Sequence, residues 1–563
     1  MRTRTGEELK SFLQDKSFHS YQERDAMHVL DDYLNSPNDN KVMILNGLRR
    51  TGKTTMMYQA ICSHVDINDS MLIRCSAKDD VDDIADRILA ADEKYVFLDE
   101  VTKVPNFIDF ASSLSDEAAF SGHKIVMAGT DSLGFAFAKN DELFDRAHEI
   151  HTTYIPYSEF YRLTGKNLFE YMKYGGTLSD EDYFYNEDNL EEYTNSAIAS
   201  NILHTLRYWK NGEFKNDLYP AVTRADIYSL VNYYLRDESK RFLAESLEEF
   251  KASEFHSPAQ MYESKIRKAK RHPELVDSEE HIPDPSPLRD EQLSREWQEM
   301  LQIKDDYPFE VDDKLITKLR EYLTKLDVLT YVKDTDQYYF TQPGMRYCHV
   351  DAAIDTLCEN SRIKKEYSQD DIDVVSTKIR EDIEGRLIED IALLDIRNSY
   401  KSNDKVTVYK YRYGNSEYDL ALLNRQTEEA VVFEVKRSAE RVPFQKKHLQ
   451  NIELREEFER VTGCKIIGSA VLYSGNTCKD EDGFLYINSS EVLQDVSFAM
   501  KKHFPDFDGS GPDGDGKTRV SLKKSANQKE RSMVDDPEIN DIVKQDEMNK
   551  QTLYNPDNGF SGD

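Results

Sequence analysis

Positive charge is what this sequence is short of. Against 106 Asp and Glu it sets only 73 Lys and Arg, so its 563 residues carry a formal net charge of −33. That excludes a histone-like cationic coat; any nucleic-acid contact has to be a local basic surface in an acidic whole. Long hydrophobic runs are missing too. None approaches about 18 apolar residues, so no membrane span is expected. Cysteine is sparse, six residues with no C-x-x-C pair. This speaks against a disulfide scaffold or a zinc site and for reduced thiols in a cytoplasmic protein. The start, Met1-Arg2-Thr3-Arg4-Thr5-Gly6-Glu7-Glu8, has no apolar core behind it and does not read as a signal peptide. No internal repeat is visible. What is present, 39% hydrophobic and 32% charged residues, describes a soluble globular chain with some disordered length. At roughly 150 residues per domain the length suggests three or four domains.

The pattern changes along the chain. Around Tyr21 to Leu34 it reads as a helix. From Lys41 to about Phe160, short apolar runs (Val42 to Leu45, Met71 to Ile73, Tyr95 to Leu98, Lys124 to Met127) alternate with amphipathic segments. Such alternation indicates a parallel sheet covered on both faces. A mostly helical stretch rich in Tyr and Glu follows, with a turn-rich connector near Pro273 to Pro287. Asp313 to Leu326 reads as an amphipathic helix, and Val328 to Val332 with Tyr338 to Phe340 as a hairpin, together a winged-helix-like module. A second α/β unit then appears: a helix at Asp382 to Ile396, strands at Val406 to Tyr411, Tyr418 to Leu423 and Ala430 to Lys436, another helix, and a strand at Ile466 to Leu472.

Gly47-Leu48-Arg49-Arg50-Thr51-Gly52-Lys53-Thr54 satisfies G-x-x-x-x-G-K-[ST], with a strand entering and a helix leaving. Its glycines let backbone N–H groups turn toward phosphates, and the helix start adds its positive end. The nucleotide-binding residues expected here are Gly47, Arg49, Arg50, Thr51, Gly52, Lys53, Thr54 and Thr55. Lys53 reaches the β and γ phosphates and Thr54 holds Mg²⁺. The run Tyr95 to Leu98 delivers Asp99 and Glu100, the first suited to a water-mediated Mg²⁺ contact and the second to polarising the attacking water. Thr130, after the strand Lys124 to Ala128, is expected to sense the γ-phosphate. Arg146 is a candidate arginine finger, acting in cis or on a neighbouring subunit.

At these residues the chain resembles the AAA-type ATPases of archaea and bacteria that carry a C-terminal PD-(D/E)XK nuclease-like domain. The shared segments are the loop with its paired arginines, Leu98-Asp99-Glu100-Val101 with Val104-Pro105-Asn106-Phe107, Tyr157-Ser158-Glu159-Phe160-Tyr161, and Tyr171-Met172-Lys173-Tyr174-Gly175-Gly176. The likeness runs over roughly residues 20 to 475 and is strongest over 40–180. Resemblance and patterning together give an α/β chain of five parts: an ATPase core over 1–180, a helical region and linker over 181–310, the winged-helix-like module over 311–365, a restriction-endonuclease-like α/β domain over 366–505, and, outside the resemblance, a tail over 506–563 that reads as disordered because Gly, Asp, Ser, Asn and Lys replace the aliphatics.

Within the fourth part, Asp419 lies on one strand of a hairpin, with Glu434 and Lys436 on the other. Glu434 and Lys436, two apart, share a face. Asp419 and Glu434 can chelate Mg²⁺ (or Mn²⁺) while Lys436 positions or activates a water, the D…E-x-K arrangement. Gly385-Arg386-Leu387-Ile388-Glu389 resembles the family's helix that adds a further acid, Glu389, with Glu384 as the fallback. Downstream, Lys436-Arg437, Arg441 and Lys446-Lys447-His448 concentrate positive charge beside the site, with Gln445 as a further polar contact. The blander reading stands alongside: E-x-K at a strand end is common, and charge runs are usually solvated faces.

The expectation is an ATP- and Mg²⁺-using enzyme whose nucleotide cycle controls a Mg²⁺-dependent nuclease. By analogy its substrate is DNA rather than RNA, its assembly a homo-oligomer and its role defence against foreign DNA. The alternative is an ATP-dependent switch or scaffold that binds a protein partner, its nuclease-like domain catalytically inactive. Asp506 to Asp513 reads as a linker rather than a calcium loop, His148 and His151 as ordinary polar residues, and the Tyr-rich stretch Tyr171 to Tyr193 as helix packing.

Overall fold

A computed structural model of the chain describes residues 1–14, 16–37, 41–105, 107, 122–129, 133–135, 146–178, 187–208, 224–249, 293, 296–297, 299–301, 311–333, 335–403, 405–441 and 443–509. Thr130, the Pro273 to Pro287 connector and nearly all of the tail lie outside the described residues, as does most of the expected helical region.

The first sheet has six strands: β1 (Arg2–Thr5), β2 (Val42–Asn46), β3 (Ser70–Arg74), β4 (Tyr95–Asp99), β5 (Lys124–Ala128) and β6 (Ala147–His151). Their order is β1-β3-β4-β5-β2-β6. All neighbours pair in parallel except β1, which runs antiparallel to β3. Strand alternation sends Met43, Leu45, Leu72, Phe97 and Val126 to one face, under the helices Gly6–Gln14, Met27–Asn35 and Lys53–Ser63. Val42, Ile44, Ile73, Leu98 and Met127 go to the other face. That second face is covered by the Val81–Leu89 helix and also by Leu315, Leu319, Leu323 and Leu329 of the helix–hairpin module.

That module consists of the helix Asp313–Lys325, the antiparallel pair β7 (Leu329–Val332) and β8 (Gln337–Phe340), and the helix Pro343–Cys358. Asp312 starts the first helix by accepting the Leu315 amide, a cap worth about 1 kcal/mol.

The second sheet contains β9 (Val406–Tyr413), β10 (Ser416–Asn424), β11 (Glu429–Val435), β12 (Lys465–Tyr473), β13 (Cys478–Lys479) and β14 (Leu485–Asn488), in the order β13-β14-β12-β11-β10-β9. β9, β10 and β11 form an antiparallel meander, whereas β11–β12 and β12–β14 are parallel. Leu420, Leu422, Val431, Phe433 and Val435 face Ile379, Ile383, Leu387, Ile391 and Ile396 of the helix Gln369–Ser399. Ala421, Leu423, Ala430 and Val432 face Leu454 and Phe458 of the helix Ile452–Thr462 on the other side. A capping box between Ser368 and Asp371 starts the long helix well before the expected Asp382.

The core does not follow the sequence segments. Ile155, Tyr157, Phe160, Leu168, Tyr171 and Met172 follow the first sheet in sequence, yet they bury their side chains in the core built around the Gln369–Ser399 helix. The early helix is also shorter than its periodicity predicts. It begins at Met27, because Arg24 is turned inward and committed to the loop after β2.

Candidate functional site

The Gly47–Thr54 loop leaves the C-terminal end of β2 and passes directly into the helix Lys53–Ser63. Gly52 precedes that helix at φ 90°, a left-handed conformation that favours glycine. At Gly47, φ is 146°, and a Cβ would meet Thr152 Oγ1 at 2.2 Å. The loop carbonyls are bound from several directions. Tyr193 OH donates to Arg49 O at 3.1 Å, the Leu178 amide to Arg50 O at 2.7 Å, and Arg24 Nη1 to Thr51 O. Thr152 and Thr153, just after β6, hold the loop: Thr152 Oγ1 is 2.7 Å from Thr51 Oγ1, and Thr153 Oγ1 accepts the Leu48 amide at 3.0 Å.

Arg24 itself is buried against Glu159, with Nε–Oε1 at 2.5 Å and Nη2–Oε2 at 3.2 Å. Neither residue was a site candidate from the sequence. Glu159 belongs to a segment shared with the resembling family but without chemistry of its own; its chemistry is to hold the arginine that holds the loop.

Lys53 Nζ lies 2.6 Å from both Gly47 O and Leu48 O. Burial pushes its pKa down to about 8, against the opposing pull of Glu100 and Asp99. Asp99 ends β4, and its Oδ1 is 3.4 Å from Thr54 Oγ1. Burial and then the neighbouring Glu100 raise the Asp99 pKa. Glu100 has φ 59°, uncommon for a residue with a side chain, and its carboxylate lies 3.1 Å from Lys103 Nζ. Lys53, Thr54, Asp99 and Glu100 therefore gather at one end of the sheet, where an open α/β sheet places its ligand.

Arg146 does not join them within this chain. Its carbonyl accepts the Val42 amide at the start of β2, the end of the sheet away from the loop, and the length of β2 separates the two by roughly 13 Å at 3.3 Å per residue.

Residues 39–161 match the family model of an AAA domain. This segment is an AAA-type P-loop ATPase domain. In an alignment of 243 positions that covers 38% of its length, the chain is 25% identical to an uncharacterized protein, MJ1544, of Methanocaldococcus jannaschii, and it spans about half (51%) of that relative. Among solved structures it is similar to a Walker-type ATPase of Pyrococcus abyssi, at 11% identity and a TM-score of 0.26, over 59% of this chain and 97% of that one.

Outside the ATPase domain a second polar cluster sits on the other sheet. The β10–β11 register pairs Leu420 with Phe433, and continuing it by one residue sets Asp419 against Glu434. Both carboxylates are buried and share one ammonium: Lys436 Nζ lies 3.2 Å from Asp419 Oδ2 and 2.6 Å from Glu434 Oε2. Asp419 Oδ2 also accepts the Val435 amide at 2.7 Å. Burial favours deprotonation of Lys436, but Asp419, Glu434 and Glu389 outweigh it and raise its pKa. Glu389 stands close by on the long helix; burial and then Asp419 push its pKa up to about 8.

Two further side chains join the cluster. Lys410 of β9 lies 3.2 Å from both Glu389 and Asp390. His448 Nδ1 is 3.3 Å from Glu434 Oε1 and 3.2 Å from Glu417 O. Alternation along β9 points to Lys410; His448 belongs in sequence to the basic run. Glu384, the fallback acid, is bound instead to Arg437 at 2.7 Å and Lys173 at 3.4 Å.

Among the described residues no group of three or more His, Cys, Asp or Glu side chains is disposed to hold a metal ion. Two features still suit one. Glu434 Oε1 is buried without a hydrogen-bond partner, its approach to His448 lacking hydrogen-bond geometry. Mg²⁺ is commonly held by only one or two carboxylates, with water and substrate phosphate completing its shell.

The expected basic footprint is largely neutralised. Lys436 serves Asp419 and Glu434, Arg437 pairs with Glu384 and Glu381, and Lys446 lies within 2.7 Å of both Asp480 and Asp482. Arg441 donates to Cys478 Sγ, and Gln445 to Glu440 O. All six cysteines are free thiols, and none of the described helices is long and apolar enough to cross a membrane.

Proposed function

We propose that the chain binds and hydrolyses ATP, and that its nucleotide cycle controls a Mg²⁺-dependent nuclease in the second α/β unit. The observation that carries the first half is the gathering of Lys53, Thr54, Asp99 and Glu100 at one end of the sheet, beside a loop whose carbonyls are braced from several directions. The loop amides and Lys53 would bind the phosphates, Thr54 and Asp99 would hold Mg²⁺, and Glu100 would orient the attacking water and take its proton. The shape of this site is inherited from its braces, Arg24, Glu159, Thr152 and Thr153, and not from the loop alone.

The second half is supported by the convergence of Asp419, Glu434 and Lys436, with Glu389 beside them. Asp419 and Glu434 would hold the divalent ion, Mg²⁺ or Mn²⁺, which when bound supplies charge neutralisation at a phosphodiester. Lys436 would orient the attacking water near the scissile phosphate. DNA is the proposed substrate, a homo-oligomer the proposed assembly and defence against foreign DNA the proposed role, each by analogy.

One observation favours the second reading, an ATP-driven switch whose nuclease-like unit only docks a protein partner: Lys436, Arg437 and Lys446 of the basic run are paired with carboxylates of the chain itself. A single comparison separates the two. Plasmid, linear and single-stranded DNA are incubated with Mg²⁺ or Mn²⁺, with and without ATP, beside Asp419→Ala and Glu434→Ala. Metal-dependent cutting lost in both variants supports the nuclease. No cutting, with nucleotide-dependent capture of a protein partner, supports the switch.

A further inference from the structure

Between His151 and Tyr157, neighbouring residues of one short strap are committed to three parts of the chain. His151 Nδ1 lies 2.7 Å from Asp327, just before β7. Thr152 and Thr153 hold the phosphate-binding loop. Tyr154, through its hydroxyl, and Tyr157, through its amide at 2.8 Å, both donate to Asp395 of the Gln369–Ser399 helix. Only the peptide between Thr153 and Tyr154 separates a residue that grips the loop from one that grips the helix.

On that helix Glu389 and Asp390 precede Asp395 by six and five positions, about 9 Å or less at 1.5 Å per residue. Glu389 feels the charge of Asp419, and Asp390 holds Lys410. The joint is firm on the strap side. Tyr157 and Tyr171 are fully buried, their ring centroids 5.6 Å apart, and Tyr171 OH donates to Ile155 O at 2.6 Å. Beside it Tyr154, Tyr171, Arg346, Asp390 and Asp395 line a cavity of about 20 Å³, space for about one water. The Tyr154 hydroxyl therefore has room to exchange Asp395 for water. Packed elements switch between discrete arrangements more readily than they deform.

We infer that the His151–Tyr157 strap couples the nucleotide site to the carboxylate–lysine cluster, with the Tyr154–Asp395 contact as its joint. Triphosphate binding at the loop thereby alters the order of the helix segment carrying Glu389 and of the β10–β11 pair. The inference rests on the nucleotide reading above and names the regulation that reading leaves open.

The test is amide hydrogen exchange on the full chain with Mg²⁺ and a non-hydrolysable ATP analogue, the β,γ-imido triphosphate. In the wild type, exchange slows over residues 47–58 and changes by about fivefold or more over 384–396 and 417–436, within the usual range of coupling between sites. In Tyr154→Phe, and likewise in Asp395→Asn, the 47–58 protection persists while the distant change falls below about twofold. Tyr154→Phe keeps the ring and its packing, so the test survives if Asp395→Asn fails to fold. A wild-type response confined to 47–58, or full transmission in Tyr154→Phe, overturns the coupling while leaving nucleotide binding intact. Absence of any response at 47–58 removes the nucleotide reading and the inference with it.

Discussion

Arg24 and Glu159, 135 residues apart in sequence, meet as a buried ion pair directly behind the phosphate-binding loop. Arg24 also donates to the carbonyls of Thr51 and Thr152, so the pair fixes both the loop and the strap that grips it. Removing one partner strands the other charge in the interior, a change that typically costs about 3–5 kcal/mol. Glu159→Gln is the milder test, since its amide oxygen still accepts from Arg24. It is expected to lower the urea midpoint and weaken fluorescent-nucleotide binding by about tenfold, equivalent to roughly 1.4 kcal/mol. Unchanged nucleotide affinity would mean that the pair serves stability alone.

Lys53 and Glu100 should separate binding from chemistry. Lys53 is buried with its ammonium already in the loop, so Lys53→Ala removes the cation that meets the phosphates and nucleotide binding falls. Glu100→Gln keeps the shape but loses the base. Binding persists, and steady-state phosphate release slows by about 10²-fold or more, the usual worth of a positioned general base. Wild-type turnover in Glu100→Gln would remove that residue from the role.

Much of the nucleotide site is legible in the chain because its parts are local. A buried apolar strand, a glycine-bearing loop and an acid pair at a strand end each carry their own pattern. The bracing is not local. Arg24 looks like a surface arginine in an amphipathic helix, and only the folded chain shows that the helix starts three residues later. β1 escapes notice because Arg2-Thr3-Arg4-Thr5 has no apolar alternation; among the described residues it is an edge strand, paired with β3 alone. β6, Ala147-His148-Glu149-Ile150-His151, is polar for the same reason. In the second unit Asp419, Glu434 and Lys436 were readable from strand spacing. Lys410 and Asp395 depend on which helix covers the sheet, and no short window of sequence contains that. The basic run shows the limit in the other direction: its positive charges are evident in sequence, and the carboxylates that absorb them are not.

Lys436 holds together two buried carboxylates that would otherwise face each other. Lys436→Met removes the shared cation while keeping most of the side chain's length. The expected result is a fall in stability, read as a urea midpoint lower than that of the wild type at the same pH. If the cluster binds a divalent ion, millimolar Mg²⁺ or Mn²⁺ should recover part of that loss in Lys436→Met and none of it in Lys436→Met combined with Asp419→Ala. Equal recovery in both would place the ion elsewhere.

Asp395 gives the clearest dependence on pH. Burial pushes its pKa up to about 7 from an ordinary 3.8, with Tyr154 OH and the Tyr157 amide opposing the shift. The folded state therefore keeps this proton over a window in which the unfolded chain has released it. Its contribution to stability is fully present below about pH 4, declines as pH rises toward 7, and is level above that. Asp395→Asn has no proton to lose. It cannot accept from both donors equally well, but that cost does not vary with pH. The midpoint difference between wild type and Asp395→Asn should therefore shift in the variant's favour between pH 5 and pH 8, on the order of 1–2 kcal/mol when converted with the urea slope. Parallel profiles across that range would show that Asp395 is already ionised throughout, held so by Tyr154 and Tyr157 against its burial.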